Sequence, residues 1–413
     1  MLPLISIVLP VYNSKKYISE TLFSILNQTE KRFELIIILD FPTDGTEDIV
    51  NSVHDERIKL IRHSENKGVS FTRNEGISLS VGKYIIFMDH DDILPKTRLA
   101  LHLSFLEEHP EYDALGGKII AIDSDSNFNH VVYENVPQDS DYIRAFLMNQ
   151  NLLINSSVTY RLNTIKKYHL SFWENSFGLE DYVFIVALSK VGKITNLQDI
   201  SLFYRMHPGN TLKKIIDNNL KERLDVWEKF FRFSYETEGF ELSDDDYKML
   251  VHVFSEKRHG VPLDFFELGN FFILLDKIVK QGIRLKLSYI DKLFICLNEI
   301  RCKIASEQLC FNIIPFSLEE LYTFCKKFKN IYIYGHGKYG RQIENILIQL
   351  GFSITKFVVS ENANLKDNEI SVSNLILSET DGLIIGLNKK NTSDVKKIIN
   401  DKFSEKQLLI QKL

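Results

Sequence analysis

Apolar runs that end abruptly in polar residues set the rhythm of the first 205 residues. Ile5–Leu9 (ISIVL) breaks at Pro10, as a buried parallel strand would. After Ser14, which the pattern places as a helix N-cap, Ile18, Leu22, Ile25 and Leu26 recur at helical spacing. A second run, Leu35–Leu39 (LIIIL), ends at Asp40, and a turn at Asp44-Gly45 starts a helix carrying Ile49, Val50 and Val53. Ile58–Ile61 and Tyr84–Met88 (YIIFM) predict further strands, with Val69–Leu79 a helix between them. Such alternation implies an open, mostly parallel sheet. Ligands of these sheets bind outside the carboxyl ends of the strands. The polar residues just after each run are therefore the candidates for chemistry.

From about residue 215 to 318 the pattern turns helical and aromatic-rich, as in ERLDVWEKFFRF and NFFILLDKIVKQ. Near Ser317 strands return. Ile331–Tyr334 is followed by GHGKYG, a helix over Gln342–Leu350, strands at Ile354–Val359 and Leu383–Ile385, and a helix around Val395–Ile399. That is half of a Rossmann-type unit. The expected architecture is α/β: a mostly parallel sheet domain flanked by helices over 1–214, then a helical region over 215–318 and a small Rossmann-like α/β domain over 319–413.

A chain of 413 residues has room for these domains, each with its own core. Its 44% hydrophobic and 25% charged residues are ordinary globular composition. A net charge of −5 argues against nucleic acid as a partner. Cys296, Cys302, Cys310 and Cys325 show no zinc-ligand spacing, which points to a reduced cytoplasmic compartment. The apolar opening Leu2–Val11 makes a poor signal peptide, and no stretch is long enough to span a bilayer.

Chemistry concentrates at Asp89-His90-Asp91-Asp92, at the end of the YIIFM strand. Three carboxylates within four positions repel one another in a partly buried cleft. A hard divalent cation, Mg²⁺ or Mn²⁺, resolves this and can also bridge a diphosphate. A solvated acidic turn capping the helix near Thr97 is the competing reading. Tyr12, after Pro10-Val11, and Asp40 stand at neighbouring strand ends. They offer an aromatic face and a carboxylate acceptor to a planar base.

Together, PVYN, LNQT, ELIIILD–TDGT, the NKG–RN segment, the strand ending MDHDD, Glu180-Asp181 and YRMHPGNT resemble the family 2 inverting glycosyltransferases of GT-A fold. The match covers about residues 4–212. It implies transfer of a sugar from a nucleotide-sugar, expected to be a UDP-sugar, to a saccharide or lipid-linked acceptor in bacterial surface glycan synthesis, with Mn²⁺ or Mg²⁺ as cofactor. The resemblance makes Pro10, Tyr12, Asp40, Lys67, Arg73, Asp89 and Asp91 donor-binding residues, and Asp91, Asp92 and His207 metal ligands. Asp181 is then the catalytic base and Glu180 its neighbour. By itself, Glu180-Asp181 reads first as acids at a helix start, where the dipole favours them.

Two departures stand out. Leu39-Asp40-Phe41-Pro42 keeps one acid where the family has two, and Phe41-Pro42 replaces its Gly-Ser. The QxxRW motif of processive members is missing, which favours adding one or a few sugars. GHGKYG, with Glu361 beyond the next strand, fits either a nucleotide-binding loop or a scaffold used for packing or assembly. The helical region suits a homo-oligomer interface or peripheral contact with a membrane bearing a lipid-linked acceptor. The rival functions are a nucleotidyltransferase, a non-catalytic nucleotide-sugar-binding scaffold and an oxidoreductase centred on GHGKYG.

Overall fold

The computed structural model describes residues 3–132, 136–176, 178–208, 220–256, 265–311, 323–335, 338–349, 352–359, 369–385 and 408–409. The chain forms two compact units, one of residues 1–255 with 281–296, the other of 256–280 with 297–413. The helical stretch expected as a region of its own is thus divided between them.

The first unit begins β1 (Ile5–Val11), α1 (Ile18–Leu26), β2 (Phe33–Leu39), α2 (Thr46–Asn51), β3 (Ile58–Arg62), α3 (Val69–Leu79), β4 (Tyr84–Phe87) and α4 (Arg98–Glu108). It continues β5 (Ala114–Ile122), β6 (Phe128–Val131), α5 (Ser140–Leu147), β7 (Thr159–Arg161), α6 (Leu162–Lys167), α7 (Glu180–Val191), β8 (Ile194–Arg205), α8 (Leu220–Glu236) and α9 (Asp244–Val251). Its eight strands run β3-β2-β1-β4-β7-β5-β6, with β8 beside β5. The first four are mutually parallel, and β7 enters antiparallel. This is the mostly parallel, helix-flanked α/β sheet that the apolar runs predict. The antiparallel strands β5 to β7 did not announce themselves as runs.

Every residue of β1 and β2 is buried, which is why these strands are apolar without alternation. Each such aliphatic side chain contributes about 1.5–3 kcal/mol relative to exposure. Their register, Val11 beside Leu39, makes Tyr12 and Asp40 leave the sheet side by side. Beneath the end of β4, Phe172 stacks on Phe184 of α7 at 4.2 Å, and Phe87 meets both edge-on. This aromatic block fixes the start of α7 against the β4 tip. One local expectation fails: Ser14 is not an N-cap. The helix starts at Ile18 without a side-chain cap, and the Ser14 hydroxyl donates to the His90 carbonyl at 2.9 Å.

Two further helices, α10 (Phe265–Arg284) and α11 (Ile290–Phe311), supply residues to both units. The second unit holds β9 (Asn330–Tyr334), α12 (Lys338–Gln349), β10 (Lys356–Val359), β11 (Glu369–Ser371), β12 (Asp381–Ile385) and β13 (Leu408–Leu409). These strands are all parallel, in the order β11-β10-β9-β12-β13. The order is Rossmann-like, and the sheet is larger than the half unit read from sequence. Glu361 and the expected helix around Val395–Ile399 lie outside the described residues. Among the described residues, no helix is long and apolar enough to cross a membrane.

Candidate active site

The ends of β1, β2 and β4 and the start of α7 deliver the candidate residues, and the cation that joins them is Arg73 of α3. It is 2% exposed. One guanidinium nitrogen donates to Asp181 Oδ1, and the other donates to Asp89 Oδ1 at 2.7 Å. Glu180 lies 3.9 Å from the first. Burying a guanidinium is costly unless it is paired, and here three carboxylates surround it. They hold its pKa above the ordinary arginine value against the opposing effect of burial. Next along α3, the Asn74 side chain exchanges hydrogen bonds of 2.8 and 2.9 Å with the Phe172 backbone, pinning the helix to the aromatic block.

Asp181, in the first turn of α7, is 27% exposed. Burial pushes its carboxyl up to about 8; Arg73 opposes this, while Glu180 and Asp89 add to it. A carboxyl poised near neutral pH is suited to general-base work. Glu180 accepts from the Ser176 hydroxyl at 3.2 Å. Both acids also occupy the first turn of the helix, where the dipole favours them, as the helix-start reading expects.

The three acids of the β4 tip have three different partners. Asp89 faces Arg73. Asp91 Oδ2 lies 2.9 Å from His207 Nε2, with side chains 14% and 12% exposed. Burial raises the Asp91 carboxyl, but the bond to His207 and the nearby His90 outweigh it and hold it low. Asp92 is fully buried, with Oδ1 accepting from the Arg205 backbone at 2.9 Å and Oδ2 unpartnered. Burial, with the charges of Asp91 and Asp89, raises its pKa well above the ordinary range. The three acids thus face three different partners, and Asp92, expected as a ligand, is buried beneath the loop with its carboxyl pushed up. Among the described residues, no group of three or more side chains is arranged to hold a metal. Asp91 and His207 nevertheless supply an oxygen and a nitrogen donor side by side. Two such protein ligands, completed by substrate oxygens, suit Mg²⁺ or Mn²⁺.

Asp40 also differs from expectation. It is 3% exposed and already occupied. Oδ1 faces His63 Nδ1 at 2.7 Å and accepts from Lys67 N at 2.8 Å, and Oδ2 accepts from Gly68 N at 2.9 Å. It braces the loop entering α3 instead of standing open as a base acceptor. Tyr12 is 44% exposed and Phe41 49%, so the aromatic surface at these strand ends is real. Phe41 has φ +59°, a left-handed conformation costly for a bulky residue. That explains the family's glycine there and marks Phe41 as strained. Pro10 is buried within β1, and Lys67 lies over the Phe71 ring at 4.7 Å.

Sequence reading missed His63, Glu75 and Arg205. His63 is the first residue after β3, where the rule of inspecting strand ends finds it. Arg205 is fully buried, bonding the Asp91 carbonyl at 2.7 Å and Glu20 at 2.7 Å. As the last residue of β8, inside the YRMHPGNT segment, it too stands at a strand end.

Comparison with known proteins places this geometry in context. The model of glycosyl transferase family 2 matches residues 6–168. An uncharacterized glycosyltransferase of Haemophilus influenzae is 28% identical over 229 residues, 53% of this chain and 70% of that protein. The Escherichia coli UDP-Glc:alpha-D-GlcNAc-diphosphoundecaprenol beta-1,3-glucosyltransferase WfaP is 30% identical over 218 residues, 52% of this chain and 83% of that protein. The fold is similar to that of S. aureus TarS 1-349, crystallised with UDP-GlcNAc, at a TM-score of 0.50 and 19% identity, covering 73% of this chain and 92% of that one.

Proposed function

Because the chain belongs to glycosyl transferase family 2, and is thus a glycosyltransferase, we propose that it moves a sugar from a UDP-sugar to a saccharide or lipid-linked acceptor with inversion at the anomeric carbon. The observation that carries the reading is the Arg73 bridge. One buried guanidinium joins Asp89, on the donor side, to Asp181, on the acceptor side. Donor and base are therefore brought to one point, with the aromatic block behind it.

In this reading Asp181 takes the proton of the attacking hydroxyl, and its raised pKa makes it a stronger base than an exposed aspartate. Arg73 holds that carboxylate in place and, with Lys67, supplies positive charge beside the departing diphosphate. Glu180 orients hydroxyls next to the base. Tyr12 offers the exposed ring on which the base of the donor stacks. Asp91 and His207 are the residues that would hold a divalent cation, whose chemistry is to offset negative charge on the diphosphate. The E. coli relative's name specifies a UDP-glucose donor and a diphosphoundecaprenol-linked acceptor, which makes the same classes the first to try.

We further propose that residues 1–214 form the catalytic domain and that the C-terminal Rossmann-like unit is a scaffold for packing or assembly. A nucleotide-release assay over a panel of UDP-sugars tests the main reading. Release of UDP that requires acceptor and Mn²⁺ is expected, and Asp91→Ala should abolish it with the fold retained. Near-normal transfer by Asp91→Ala would remove the site assignment.

A further inference from the structure

His63 is held by two carboxylates, and nothing in the reaction outlined above uses it. Its Nδ1 lies 2.7 Å from Asp40 Oδ1 and its Nε2 lies 2.7 Å from Glu75 Oε2, with the ring only 4% exposed. An ionised carboxylate only accepts, so a ring facing one at each nitrogen donates from both and carries a positive charge. Each bond is then charge-assisted, roughly twice as strong as a neutral one.

The two partners grip one functional element on either side of Arg73. Asp40, at the end of β2, accepts from the backbone N–H groups of Lys67 and Gly68, where the chain turns into α3. Gly68, at φ +85°, makes that turn. Glu75 lies in the middle of α3, two residues beyond Arg73. The imidazolium thus staples the helix to the sheet on both sides of the arginine that links Asp89 to Asp181. We propose that His63, as a doubly protonated imidazolium, is a positioning residue that sets the seat of α3 and Arg73, and through them the affinity for the nucleoside-diphosphate portion of the donor. The inference rests on the glycosyltransferase reading for its ligand, though not for the charge on His63.

The surroundings agree. Asp40 and Glu75 are the charged groups acting on the ring. Phe71 meets it edge-on at 5.8 Å, and Lys67 is turned over that same phenyl ring. On β3, the Arg62 guanidinium is engaged by Glu47 and Asn51. Burial pulls the imidazole down, and the bonds to Asp40 and Glu75 more than reverse this, leaving it above its ordinary value. A raised folded pKa gives a contribution that is complete below the ordinary histidine range and lost as pH rises through the folded value. Donor affinity therefore falls with rising pH.

Two measurements on the full-length chain test this. Nitrogen-15 NMR of the histidine rings, assigned with His63→Gln, should show a doubly protonated His63 ring at pH 6.5. Calorimetric titration of UDP with Mn²⁺ between pH 6 and 9 should show Kd rising about tenfold across the His63 transition, the scale of one charge-assisted bond. In His63→Gln, Kd at pH 6.5 should already be raised about tenfold and the pH dependence lost. Glu75→Gln, which removes one carboxylate and keeps the ring, should move the transition to lower pH. Titration of the UDP phosphate is common to all three proteins and cancels in the comparison. A neutral His63 ring at pH 6.5, or a transition unchanged in His63→Gln or Glu75→Gln, overturns the proposal. If UDP binds no form of the protein, the donor reading fails, and the NMR result alone decides the charge on His63.

Discussion

The two parallel sheets of this chain end in opposite ways. In the first unit, β2 and β4 run out into acids, and each acid is met by a cation or a backbone donor: Asp40 by His63, Asp89 by Arg73, Asp91 by His207 and Asp92 by the Arg205 amide. In the second unit, β9 runs out into glycine. Gly335 adopts φ +97°, and a Cβ on Gly340 would lie 1.6 Å from the Gly335 carbonyl oxygen. One tip collects charge and compensates it residue by residue, an arrangement that marks a candidate functional site. At the other, glycine at position 340 lets the start of α12 press against the Gly335 backbone. Close packing alone accounts for that, which supports proposing chemistry at the first tip and scaffolding at the second.

The strongest way to break the comparison is to remove the base while keeping its shape. Asp181→Asn retains an acceptor for Arg73, and Arg73 keeps Asp89 and Glu180 nearby. Loss of general-base catalysis should lower kcat about 10³-fold with little change in KM for the donor. Steady-state kinetics with a matched acceptor decide it. A loss below about tenfold would mean that the proton leaves by another route and that Asp181 only seats Arg73.

At the second tip the prediction concerns stability. Gly340→Ala drives a methyl group into the backbone of Gly335, and backbone cannot yield as a flexible side chain does. A destabilisation of about 3 kcal/mol is expected, at the upper end of overpacking costs, with UDP binding unchanged. Calorimetry should show one unfolding transition lowered. A loss of UDP binding in this variant would show that the glycine loop contributes to donor recognition, and the contrast between the two tips would collapse.

Between these lies a pH effect. With its carboxyl pushed up to about 8, Asp181 is mostly protonated at pH 7 and mostly ionised at pH 9. Since the base form is the reactive one, kcat at saturating donor should rise about tenfold over that interval. The His63 transition acts in the opposite direction and on donor affinity, so kcat and KM separate the two groups. A kcat that is flat from pH 6 to 9 would mean that Arg73 keeps the carboxylate ionised throughout.

What the sequence made legible follows from the same physics. Uninterrupted apolar runs mark strands buried on both faces, so β1, β2 and β4 and the residues at their tips were readable, Asp40 and Asp89 to Asp92 among them. Strand β5 (ALGGKIIAI) carries two glycines and a lysine in its middle and is built from partners distant in sequence, so no run revealed it. The acids at the strand ends were legible as candidates, but their pairing was not. Nothing in a list of acids tells that Asp40 already has three bonds, because its partners lie 23 to 28 positions away. Ser14 shows the same limit, being a good N-cap by type but drawn off by a carbonyl 76 residues along.

The smallest predicted effect discriminates most sharply between neighbours. Asp91 and Asp92 are adjacent in a motif that reads as a unit, yet the fold sends one to His207 at the cleft and the other into the interior. Full burial beside two other carboxylates pushes the Asp92 carboxyl well above its ordinary range, which disfavours charge there, and its Oδ1 accepts from the Arg205 amide. An amide side chain meets both conditions. Asp92→Asn should therefore change stability by less than about 1 kcal/mol, within the range of isosteric replacements, and leave UDP affinity in Mn²⁺ nearly intact. Asp91→Asn, one residue away, should weaken that affinity by tenfold or more, about the effect of losing one charged partner. Parallel titrations of the two variants settle the matter. If Asp92→Asn loses as much affinity as Asp91→Asn, the carboxylate of Asp92 turns toward the ligand on binding, and the division of labour among the three acids is not the one that the free protein presents.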